Sequence, residues 1–351
     1  MEITVKESTI VGPAGETPKE SLWNSNLDIL IARFHVPTVY FYKPNGSSDF
    51  FDAGKLKEAL SKTLVPFYPI AGRLGLDESG RLEITCNAQG VLFVEAETSS
   101  VMEHLIGDFS ENSQMFRLVP LGRLFRRNIF LSTSPSAGDA IAAVHFINSW
   151  ADIARGLSPA IAPFMDRTLL RARDPPTPMF HHVEYDPSPQ LKKANDDVKP
   201  SCVSTFKITV DQLNTLKAKA NAGNGSKYTS FNILAAHIWR CASKARGLSY
   251  DQQTKIYFRV DGRSRLNPPL PAGYFGNVIF ETAQITRAGD LEAESFWLGS
   301  SIYVGPATLV QEGVNLILSS PSNDWSLFLV SRLETSHMKL FETFLYDFDS
   351  I

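Results

Sequence analysis

The sequence predicts an α+β fold in two domains, 1–173 and 204–351, joined by a crossover linker at 174–203. Three observations carry this. A chain of 351 residues is long enough for one large domain or two smaller ones, each able to bury a core. Both halves mix short β-rich runs with amphipathic helical stretches. Between them stand Pro175, Pro176, Pro178, Pro187, Pro189 and Pro200 among charged residues, the composition of a linker.

Taken in order, Ile3 to Ile10 alternates polar and apolar residues and reads as a strand, not a signal peptide. Leu27 to Ile31 and the β-rich Val39 to Tyr42 follow, then a helix over Phe51 to Leu64 that Pro66 ends. Arg81 to Cys86 and Val91 to Ala96 read as a strand pair. HFINSWADIARG (145–156) is an amphipathic helix with Val144, Ile147, Trp150 and Ile153 on one face; Asp139 is placed to cap it and Gly156 to stop it. After the linker come a strand over Ser204 to Val210 and a helix that Asp211 would cap. Ala222 to Gly225 makes a turn. Thr229 to Ala245 is a helix whose terminal Lys244 and Arg246 suit its dipole. Strands follow at Ile256 to Val260, Val314 to Leu318 and Leu327 to Val330. The final helix is HMKLFETFLYDF.

Charge is nearly balanced, with 34 Lys and Arg against 37 Asp and Glu, so no field draws the chain toward nucleic acid or acidic lipid. No apolar run approaches the roughly 20 residues that cross a bilayer. Cys86, Cys202 and Cys241 are far apart and lack CxxC spacing, which argues against a disulfide framework or zinc and fits a reducing compartment. The expectation is a monomeric cytoplasmic protein whose partners are small molecules or proteins, with no metal.

The stretch Ser134-Pro135-Ser136-Ala137-Gly138-Asp139, with FHVPTVYFYKPNGSSDFFD, LVPFYPIAGRL and PPLPAGYFGNVIF, resembles the plant BAHD acyltransferases, in particular hydroxycinnamoyl-CoA:shikimate or quinate hydroxycinnamoyltransferases. The resemblance implies a chloramphenicol acetyltransferase-like architecture. It also implies transfer of an acyl group from a hydroxycinnamoyl-CoA co-substrate to shikimate or quinate in lignin biosynthesis, with no permanently bound cofactor. It places Asp139 on the Asp of the family's HxxxD motif and Pro135 on the catalytic His. By the same resemblance His35, Thr38 and Tyr40 line the acceptor pocket, although Tyr40 reads equally as a core aromatic. CoA would approach Ser230, Lys244 and Arg246, although cations at a helix end also serve as caps.

The resemblance breaks twice, at about 121–138 and at about 292–296, leaving both domains incomplete. The first break replaces strands that would deliver the His; the second removes a block expected to carry the arginine for the acceptor carboxylate. At Ser295 to Gly299 only parts of the family's DFGWG loop survive. Acyl transfer to an alcohol needs a base, and Pro135 has no titratable group. Two literal HxxxD matches, His104 to Asp108 and His182 to Asp186, align away from the active-site motif. Three readings stay open: an acyltransferase given by a faulty or mis-spliced transcript, a catalytically dead paralogue that binds or regulates active enzymes, or an unstable fragment.

Overall fold

A computed structural model describes residues 3–30, 40, 42, 46–47, 49–99, 138–189, 199–221, 228–292, 312–319 and 324–348. The described residues form two compact units. One is drawn from 1–177 together with Gly262–Ile279, the other from Pro178–Asp261 and Phe280–Ile351. Gly262–Ile279, which the sequence reading assigns to the second domain, thus packs with the N-terminal residues. The linker reading also gives way at its end, because a strand starts at Ser201.

In the first unit, strand β1 (Ile3–Val11) is followed by β2 (Ser21–Trp23), helices α1 (Asn26–Leu30) and α2 (Ala53–Thr63), strands β3 (Arg73–Leu76), β4 (Leu82–Thr85) and β5 (Val91–Thr98), and helix α3 (Ala140–Ala154). Helix α2 starts later than its apolar pattern suggests because Asp52 caps it, accepting the Lys55 N–H at 2.7 Å, while Phe51 just before has φ 59°. The expected strand pair is not a pair. β4 lies between β2 and β3, whereas β5 runs antiparallel to β1 with Val91 opposite Val11. The chain changes sheets through Ala88 and Gly90, at φ 56° and 78°. A Cβ on Gly90 would stand 2.4 Å from the Val11 carbonyl oxygen, so only glycine admits that approach.

The core of this unit gathers Leu60, Leu64, Phe67, Val91, Ala142, Phe146 and Phe275. Phe67 meets Phe146 and Phe275 edge to face at 5.4 and 5.2 Å, contacts that contribute about 0.5–1.5 kcal/mol each beyond area burial. The fully buried residues of α3 are Ala142, Phe146 and Ser149; Ile147 and Trp150 of the predicted stripe pack partly buried against the same core, while Val144 is exposed. Trp150 anchors the helix through a 2.9 Å bond from Nε1 to the Leu56 carbonyl.

The second unit holds β6 (Ser201–Ile208), α4 (Val210–Asn221), α5 (Ser230–Ala245), β7 (Gln253–Asp261), β8 (Ile279–Arg287), β9 (Asn315–Ser319), β10 (Leu327–Glu334) and α6 (Thr335–Tyr346). Strand β10 is central, antiparallel to β6 and β9, while β7 pairs with β8. Helix α4 is capped by Thr209, not Asp211: the Thr209 hydroxyl accepts the Gln212 N–H and Gln212 Oε1 accepts the Thr209 N–H, a reciprocal box. Helix α5 is buried on nearly every side, with Leu216 of α4, Phe341 of α6 and Leu329 of β10 in its core. Thr229 caps it and Gly247, at φ 61°, follows its end. Gly289–Glu292 is a 3-10 turn. Among the described residues no helix is long and apolar enough to cross a membrane.

Candidate active site

The predicted site is organised around Asp139, at the N-terminus of α3. Its N–H donates to the Gly276 carbonyl at 3.4 Å, and its side chain, 2% exposed, accepts four hydrogen bonds. Oδ1 takes the Ala142 N–H at 3.0 Å and Arg263 Nη2 at 3.0 Å. Oδ2 takes Arg263 Nη1 at 2.7 Å and the Val278 N–H at 3.0 Å. The guanidinium also donates to the Gly276 carbonyl at 2.9 Å. One carboxylate therefore caps a helix, neutralises a part-buried cation in a two-point pair and holds the backbone of Val278. With both oxygens committed, it has no lone pair directed at a substrate proton.

Pro135, Ser136, His35 and Thr38 lie outside the described residues, as do the 222–225 turn and the His104 to Asp108 match. Tyr40 is described and is 45% exposed, so it is not a core aromatic. The three residues expected to meet CoA do not converge. Ser230 opens α5, while Lys244 and Arg246 stand at its far end, about 21 Å along the axis at 1.5 Å per residue. Arg246 pairs with Glu312 at 2.6 Å, and the Lys244 ammonium sits 5.2 Å from the Phe344 ring centroid. Beside them Ser243, Lys244, Leu248, Tyr250, Ala288 and Gly289 line a cavity of about 120 Å³, well below the volume of sites that enclose drug-sized ligands.

Four of the five described histidines are otherwise engaged, and the fifth, His337 in α6, has its Nδ1 3.8 Å from Glu334 Oε2. His145 Nε2 lies 2.9 Å from the Ile161 carbonyl and its ring meets Phe67 edge-on. His237 is buried in α5, with Nε2 2.9 Å from the Leu345 carbonyl, and desolvation pulls its pKa down to about 4. His181 and His182 of the accidental HHVEYD run pair with Asp186 and Glu184, both at 2.8 Å. Among the described residues no cluster of three or more His, Cys, Asp or Glu could hold a metal ion.

Sequence reasoning placed Asp139 as a cap and missed Arg263, its partner 124 residues away. The Asp261-Gly262-Arg263 turn after a strand is visible in the sequence, but nothing in its spacing points to Asp139.

The fold is shared with a solved structure, that of vinorine synthase. It superposes on vinorine synthase with a TM-score of 0.69 at 17% identity, covering 97% of this chain and 96% of that one. The model of the Transferase family matches residues 1–124 and 129–301, and the chain belongs to this family, the BAHD acyltransferases. It is similar to shikimate O-hydroxycinnamoyltransferase of Nicotiana tabacum, 43% identical across 99% of this chain and 100% of the relative. It is also similar to a hydroxycinnamoyltransferase of Narcissus pseudonarcissus, 39% identical over the same shares. The tobacco alignment runs over 436 positions against the 351 residues of this chain, 85 more, so the relative has residues within the aligned span that this chain lacks.

Proposed function

We propose that this chain is a hydroxycinnamoyl-CoA:shikimate or quinate acyltransferase in frame, without the base that makes such a frame an enzyme. The observation that carries the reading is the state of Asp139: its four hydrogen bonds build the helix start and hold Arg263 and Val278, and the residue four positions before it is Pro135. In the reaction a hydroxyl attacks the thioester carbonyl, its proton must leave as the C–O bond forms, and the CoA thiolate departs with a proton. Proline can accept no proton, and Asp139 is committed elsewhere. The acceptor role of His35, Thr38 and Tyr40, the CoA role of Ser230, Lys244 and Arg246, and a monomeric cytoplasmic state belong to the same reading. Of the two non-catalytic alternatives, the satisfied hub around Asp139 favours a folded paralogue that binds ligands or partners over an unstable fragment.

The test is thiol release by the purified chain from p-coumaroyl-CoA with shikimate or quinate, alongside calorimetric titration with CoA. Binding without turnover is expected. Enzyme-like turnover would overturn the reading, and a chain that neither turns over nor binds CoA would remove its ligand.

A further inference from the structure

Asp139 is not alone in holding the segment Tyr274 to Val278. The neighbouring N–H, that of Asn277, donates to Asp28 Oδ1 at 2.8 Å. Asp28 belongs to α1, where it closes a capping box over Ser25-Asn26-Leu27-Asp28. The Ser25 hydroxyl accepts the Asp28 N–H at 3.2 Å, and Asp28 Oδ2 accepts the Ser25 N–H and hydroxyl at 2.8 and 2.7 Å. Its charge is met by Arg167, Nη1 to Oδ1 at 3.4 Å, and both side chains are fully buried. Arg167 also donates to Asn24 Oδ1. Asn277 Nδ2 binds the Leu27 carbonyl at 2.7 Å while its Oδ1 accepts the Ile279 N–H at 3.0 Å. A Cβ on Gly276 would stand 3.3 Å from the Tyr274 hydroxyl and 3.4 Å from Arg167 Nε, so glycine leaves this space for the two polar groups.

We propose that Asp28 and Arg167 are positioning residues, a second buried ion pair that grips the Asn277 amide while Asp139 and Arg263 grip that of Val278. One anchor would leave the segment free to pivot; two anchors on consecutive amides fix the wall against which α3 begins. A buried ion pair contributes little net stability compared with well-packed apolar residues of similar volume, so its use here is geometric. The inference concerns backbone placement and involves no turnover, so its failure would leave the acyltransferase reading untouched.

The test is amide exchange of the full chain labelled with ¹⁵N on asparagine and valine. In Asp28→Asn the Asn277 amide should exchange on the order of tenfold faster or more, with a smaller change at Val278; Asp139→Asn should reverse that order. Removing one charge of a buried pair also weakens the whole unit. The double variant Asp28→Leu with Arg167→Met separates the two effects: melting close to wild type, with Asn277 still exchanging fast. Equal acceleration at both amides in the single variants, wild-type protection of Asn277 in the double variant, or a double variant that melts as low as Asp28→Asn would each overturn the proposal.

Discussion

Two places in this molecule carry parts of the HxxxD pattern, one of them by accident, and they differ in what surrounds them. His182 to Asp186 has the literal HxxxD spacing, yet its histidine is 38% exposed and pairs with Glu184, two residues on; the preceding His181 is 71% exposed and pairs with Asp186. Asp139 has no histidine at the required distance, yet it is buried and joins α3 to Arg263 and Val278 from the far end of the sequence. Spacing alone makes local surface pairs. A site frame comes from burial and from bonds between distant segments.

Removing Arg263 should break this comparison most strongly. Arg263→Met strands the buried Asp139 carboxylate, and chemical denaturation should show a loss of about 3–5 kcal/mol. A change of similar size is expected from acid. Burial holds the His237 pKa at about 4 against an ordinary value of 6.5, with Arg240 opposing its charge and Asp347 weakly favouring it. The unfolded chain takes up the proton first as pH falls. This contribution is therefore complete above pH 6.5 and lost between 6.5 and about 4, on the order of 3 kcal/mol in all. Urea midpoints across that range should fall, and fall less in His237→Gln; a flat profile would place His237 in water.

A smaller effect separates Asp139 from an ordinary cap. Thr229 caps α5 through the Asn232 N–H at 3.3 Å, and among the described residues no long-range tie comparable to that of Asp139 is seen at it, so Thr229→Ala should cost about 1 kcal/mol in the same assay. Smallest of all, His182→Ala should change stability by less than about 0.5 kcal/mol, the usual range for an exposed local pair.

These contrasts show how far the sequence could be read. Some helix ends were legible: Asp139 as the cap before α3, and glycines 156 and 247 after α3 and α5; Thr229, read as the first helical residue, is instead the cap of α5. Thr209 was missed because Asp211 offers the same chemistry two residues later, and only the reciprocal Gln212 bond distinguishes them. The strands at 82–85 and 91–98 were legible as strands, but their partners were not, since apolar alternation carries no information about which edge a strand joins. The Asp139 to Arg263 tie was invisible for a related reason: a buried ion pair between residues 124 positions apart leaves no periodic trace. The proline four residues before Asp139, by contrast, was plain in the sequence.

The most direct measurement compares Asp139→Ala with Asp186→Ala in the full chain by chemical denaturation at neutral pH. The account predicts a loss of about 3–5 kcal/mol for Asp139→Ala, which strands Arg263 and uncaps α3, against less than about 0.5 kcal/mol for Asp186→Ala. Equal losses, or a larger loss at Asp186, would contradict the claim that Asp139 is the frame of this site.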